Sequence, residues 1–140
     1  MDSAIHKLIY AASLFFFVGC GSDELPTWPV NGRVVFADGS PVRTGSVEFE
    51  SKDHELTASG RIEPDGSFSL GTYALGDGAV AGNHRVIVVQ FIVNDGTINH
   101  TMDHGTPVPA RYAAYETSGL SVTVAEREND CTLTLSKAAH

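Results

Sequence analysis

Apolar and polar residues alternate in short runs along most of the chain, with turn residues between the runs. Val30–Phe36 is the first run, and Asp38-Gly39-Ser40-Pro41 is its turn. Gly45–Glu50 follows, with Val47 and Phe49 on one face and Glu48 and Glu50 on the other, the two-residue period of a half-buried strand. Leu56–Ile62 is a weaker strand. Pro64-Asp65-Gly66 then turns the chain into the alternating Ser67–Leu70. The stretch 71–81, rich in Gly and Ala, reads as a loop. Val86–Val93 is apolar on both faces and predicts a central strand covered on each side. Residues 94–118 read as a long connection, and Leu120–Val124 and Cys131–Leu135 as two closing strands. No helical periodicity is visible after residue 20. About seven short strands with frequent turns predict an all-β fold, an antiparallel β-sandwich.

The first residues follow another rule. After one positive charge at Lys7, the run Leu8–Val18 carries no charge. As a helix it would be about 16 Å long, roughly half the hydrocarbon thickness of a bilayer. It is too short to span and suits the core of an export signal. The run ends Phe17-Val18-Gly19-Cys20, which resembles the lipobox of bacterial lipoproteins. Gly19 and Cys20 match that motif, and Phe17 stands where the family usually has Leu. The resemblance implies removal of residues 1–19, diacylglycerol on the Cys20 thiol and an acylated new N-terminus. Two or three chains anchor durably, at about 0.8 kcal/mol per buried methylene. Gly21 occupies the position where Asp marks inner-membrane retention in some bacteria, so the address tilts outward. Residues 20–29, with Pro26 and Pro29, read as a tether, and residues 30–140 as one domain.

Composition narrows the chemistry. The formal net charge of -8, with no basic cluster, argues against nucleic-acid binding. The chain has 2 cysteines, so lipid on Cys20 leaves Cys131 without a disulfide partner, a buried and inert thiol within an apolar alternation.

The order of motifs within the domain is similar to one known family. Val30-x-Gly32-x-Val34, Asp38-Gly39-x-Pro41-Val42-x-x-Gly45-x-Val47-x-Phe49 and Gly60-x-Ile62-x-x-Asp65-Gly66-x-Phe68-x-Leu70 follow in turn. Gly78 and Gly82 precede the Val-rich strand, and Pro109-x-x-Tyr112 leads to Thr117–Leu120. Over residues 30–136 this resembles the carboxypeptidase-regulatory-like domain, a transthyretin-like β-sandwich, as found in short exported lipoproteins of planctomycete-type bacteria. The resemblance implies a fold and an accessory role, with no catalytic group and no cofactor.

Candidate chemistry outside these motifs is sparse. His100 and His104 are spaced to share a helix face and could bind a metal in a metal-dependent enzyme, but Gly96, Gly105 and Pro107 disfavour a helix there. The Asp-Gly pairs at 38, 65, 77 and 95 lack the spacing of a calcium loop and read as turns. Trp28, Tyr73, Tyr112 and Tyr115 could stack on carbohydrate, with packing the competing role for Trp28 and Tyr112. The expectation is an exported lipoprotein whose partner beyond the membrane is an envelope protein or a glycan.

Overall fold

A computed structural model of the chain describes residue 21 and residues 23–90 and 104–138. Cys20, Asp95 and His100 lie outside the described residues, as do residues 91–93 of the expected strand 86–93.

Two sheets pack face to face. The larger is antiparallel throughout, in the order β4 (Thr57–Arg61), β3 (Ser46–Ser51), β7 (Gly82–Val89), β8 (Leu120–Val124). The smaller has the order β5 (Ser67–Ser69), β2 (Val30–Phe36), β9 (Asn129–Leu135). A separate two-residue pair joins β1 (Thr27–Trp28) to β6 (Ala79–Val80).

The alternation in the sequence becomes burial. Val30, Val34 and Phe36 of β2 point inward with Leu133 and Leu135 of β9, and meet Val47, Phe49, Val86 and Val88 from the facing sheet. Each such side chain contributes roughly 1.5–3 kcal/mol on burial. Gly32 interrupts the inward row of β2 for a steric reason. A Cβ there would lie 2.6 Å from the Phe68 ring and 2.4 Å from the Cys131 carbonyl oxygen. The bare backbone lets Phe68 lie across β2 and reach Phe49 of the other sheet, with ring centroids 6.2 Å apart and tilted by 57°.

Several expectations need correction. The described residues contain nine strands where about seven were expected, because β1 and β6 are too short to show alternation. The sandwich is not wholly antiparallel, since β2 and β9 pair in parallel from Val30↔Asn129 to Phe36↔Leu135. Leu120–Val124 and Asn129–Leu135 therefore form no hairpin; the chain crosses between sheets at 125–128. Asn129 holds that corner: its Oδ1 accepts the Ala125 N–H at 2.9 Å, and its own N–H donates to the Pro29 carbonyl at 2.8 Å. The central strand begins at Gly82, four residues earlier than expected, and Gln90 lies beyond its end. It is nonetheless covered on both sides. Ile87, on the outer face, is buried in a strand that packs against a 3₁₀ turn (Ala110–Ala113) and a short helix α1 (Tyr115–Ser118). These two turns break the connection expected at 94–118. Buried Ser118 ends α1 and ties it to the sheet, donating to the Val86 carbonyl and accepting from Leu120 N at 3.1 Å.

The tether is also shorter than expected, because Thr27 and Trp28 belong to the fold. Gly78 makes this possible. It has φ +92, and a Cβ there would fall 1.8 Å from the Trp28 carbonyl oxygen. Two alanine substitutions separate conformation from contact. Gly76 also has positive φ (+77), but nothing lies within 4 Å of its would-be Cβ. Gly76→Ala should cost about 1 kcal/mol for backbone strain alone. Gly78→Ala should cost at least about 2 kcal/mol more, by displacing β1. Urea unfolding of both variants measures this, and equal midpoints would contradict the docking of β1.

Candidate functional site

Of the two histidines singled out from the sequence, only His104 is described, and it is half-buried. Its carbonyl oxygen accepts weakly from Gln90 Nε2 at 3.4 Å, while Gln90 Oε1 accepts the Val108 N–H at 3.0 Å. Gln90 thus holds the returning segment 104–108 against the end of β7. Among the described residues, no three His, Cys, Asp or Glu side chains converge as a metal would need.

The Asp-Gly aspartates that are described build turns. Oδ1 of Asp38 takes the N–H and hydroxyl of Ser40, and Oδ1 of Asp65 takes those of Ser67. The Lys137 ammonium and then Ser40 hold the Asp38 carboxyl far below its usual value; Ser67 lowers that of Asp65. Asp77 organises a longer loop. Its carboxylate accepts the N–H groups of Thr72 (2.6 Å), Tyr73 (3.0 Å) and Ala74 (3.0 Å). Burial pushes its pKa up, but the three donors outweigh that and hold it below 3.8. Cys131 is half-buried rather than fully enclosed. Burial, and then the charge of Asp130, raise its thiol to about 11, so it carries little thiolate at neutral pH.

The aromatic candidates divide sharply. Tyr112 is buried in the core, and its hydroxyl accepts the Ser136 N–H at 2.8 Å. Trp28 packs partly buried against the core. Tyr115 is half-buried, with the Arg85 guanidinium 5.0 Å from its ring centroid. Tyr73 keeps a substantial part of its ring exposed, at 39%.

The outer face of the larger sheet holds an organised polar cluster. Register places Glu50 opposite Arg85, and Arg85 Nε donates to Glu50 Oε2 at 2.8 Å. The same guanidinium stacks on Tyr115, whose hydroxyl lies 3.5 Å from Glu48 Oε2. Burial first, and then the charges of Glu48 and Glu50, raise the Tyr115 phenol to about 12. Beside the Glu50–Arg85 pair opens a polar groove of about 650 Å³ that reaches Thr57 and Glu55. A second groove of about 470 Å³ runs from Glu48 past Arg61 to Leu75. Glu50 and Arg85 are committed to one another, and the two grooves offer hydrogen bonds, charge and shape to a polar ligand. Glu48 and Glu50 were legible as outward residues; Arg85 and Tyr115 were not, because only register and the fold of α1 bring them over.

His84 was not anticipated. It is 1% exposed, its ring centroid is 6.0 Å from that of Phe49, and Nδ1 donates to the Gly82 carbonyl at 3.1 Å. That bond requires a proton on Nδ1, which the neutral Nδ1–H tautomer supplies. Burial, the dominant effect, holds its pKa below 6.5 despite the nearby Asp53 carboxylate.

No family model matches the chain, and no curated protein or solved structure proves similar to it. Its chemistry therefore has to be read from its own side chains.

The His84 environment sets a pH dependence. Above pH 6.5 the ring is neutral in the folded and the unfolded chain. Below that, the unfolded chain takes up a proton that the folded one resists, so stability falls with pH by at most about 1.4 kcal/mol per unit. The depressed carboxyls of Asp65 and Asp77 contribute only as pH drops below 3.8. Between pH 7 and pH 5 the wild-type unfolding midpoint should fall more than that of His84→Gln. Parallel profiles would contradict the buried neutral ring.

Proposed function

We propose that the chain is an exported lipoprotein, cut before Cys20 and held on an envelope membrane by lipid on that thiol, whose β-sandwich serves binding or envelope structure without catalysis. The observation that carries this is the path of the chain next to Cys20. Gly21 and Asp23–Pro26 are exposed, and among the described residues the first strand is Thr27–Trp28, in the peripheral β1–β6 pair. Lipid on Cys20 therefore leaves the core undisturbed and holds the sandwich close to the bilayer. The motif order from Val30 to Leu120 supports reading the sandwich as carboxypeptidase-regulatory-like and transthyretin-like, an accessory module.

The face bearing Glu50, Arg85 and Tyr115 is the binding surface in this reading, with a polar envelope component as its partner. A glycan-binding role draws less support, because Arg85 already occupies a face of Tyr115 and leaves Tyr73 as the better-exposed ring. A metal-dependent enzyme using His100 and His104 draws least, with Gln90 holding the His104 segment by its backbone.

Metabolic labelling with palmitate tests the anchor. Wild-type chain should take up label and sediment with membranes, and Cys20→Ser should do neither. Equal label in both would refute it.

A further inference from the structure

Three large hydrophobic side chains are exposed among the described residues: Leu25 (38%), Tyr73 (39%) and Leu75 (104%). They are not scattered. Tyr73 and Leu75 share the loop 71–78, and the backbone N–H of Leu25 donates to the Tyr73 hydroxyl at 3.0 Å. Leu75 is held outward by construction. The Asp77 carboxylate gathers the backbone of Thr72, Tyr73 and Ala74, and the Thr72 hydroxyl donates to the Gly78 carbonyl at 2.8 Å. Gly78 N–H in turn bonds the Leu70 carbonyl at 2.9 Å. The loop is closed on itself, with its most apolar residue at the tip. Single exposed leucines are normal, but this one is braced at the tip of a closed loop, two residues from the exposed Tyr73 ring, and a fixed apolar tip of this kind marks an interaction surface.

We infer that loop 71–78, together with Leu25, is a second membrane contact: Leu75 and the Tyr73 ring enter the interfacial layer of the bilayer that holds the lipid on Cys20. This rests on the lipoprotein reading above. Chain length supports it. Leu25 lies five positions after Cys20, at most about 18 Å away when extended, and its backbone is bonded directly to Tyr73. The loop can never be far from the anchoring surface, so its effective concentration there is high and even weak apolar insertion is populated. Tyr73 suits the headgroup depth, with an apolar ring and a polar tip. Asp23 and Glu24 lie on the same short path and disfavour anionic headgroups, so the preferred surface is zwitterionic. The contact also gives the sandwich a fixed tilt, since two points of attachment restrain what one tether would leave free to swing.

The test uses the lipidated chain in a Cys131→Ser background, with an environment-sensitive fluorophore on Leu75→Cys or on Ala37→Cys. Ala37 is exposed and follows the opposite end of β2 from the tether. In phosphatidylcholine vesicles the probe at 75 should shift to the blue and lose emission to spin-labelled lipid, while the probe at 37 should do neither. If the chain floats with vesicles but the two probes behave alike, the anchor stands and this inference falls. If the chain does not float, or Cys20→Ser floats equally well, both readings fall. A blue shift at 75 that grows with protein-to-lipid ratio, without quenching by lipid, marks a second copy as the occupant and overturns the inference.

Discussion

Phe68 lying across the bare backbone at Gly32 is the contact on which the two sheets depend. It lets a ring from the smaller sheet reach Phe49 of the larger one, where any side chain on β2 would have pushed it away. Phe49 then meets His84, so a line of three rings runs from β5 through β3 to β7. Packing of this density tolerates little change in volume. It also explains why a titratable ring sits in the core: His84 fills a place beside Phe49, and its Nδ1–H is met by the Gly82 carbonyl.

A second close approach fixes where the N-terminal end of the described chain joins the fold. Gly78 lets Trp28 pass against it, which seats β1 beside β6 and brings Leu25 to the Tyr73 hydroxyl. Of the expected tether, Thr27 and Trp28 belong to the fold and Asp23–Pro26 to the surface. Asp23–Pro26 are exposed, and Leu25 among them is bonded to the loop braced by Asp77. The polar cluster of Glu50, Arg85 and Tyr115 lies on the outer face of the larger sheet.

Much of this was legible in the sequence. The Val47/Phe49 and Glu48/Glu50 alternation placed β3 and its outer face, and the turns at Asp38 and Asp65 follow from side-chain bonds to the residue two positions on. What escaped depends on residues far apart in the chain. The parallel pairing of β2 with β9 needs the crossing at Asn129, which no local pattern announces. Strands of two residues carry no period. Arg85 finds Glu50 through register alone, and Tyr115 reaches Arg85 only because α1 folds back over β7. His84 looked polar in a sequence that gave no hint of its Phe49 neighbour.

The central claim is that this sandwich is carried on lipid at Cys20. Intact mass spectrometry of the mature chain, extracted from the membranes of cells that express it, tests that most directly. The account predicts a polypeptide beginning at Cys20 whose excess mass equals diacylglycerol, with or without one further acyl chain. A mature chain that retains Leu8–Val18, or that begins at Cys20 without added mass, would contradict it.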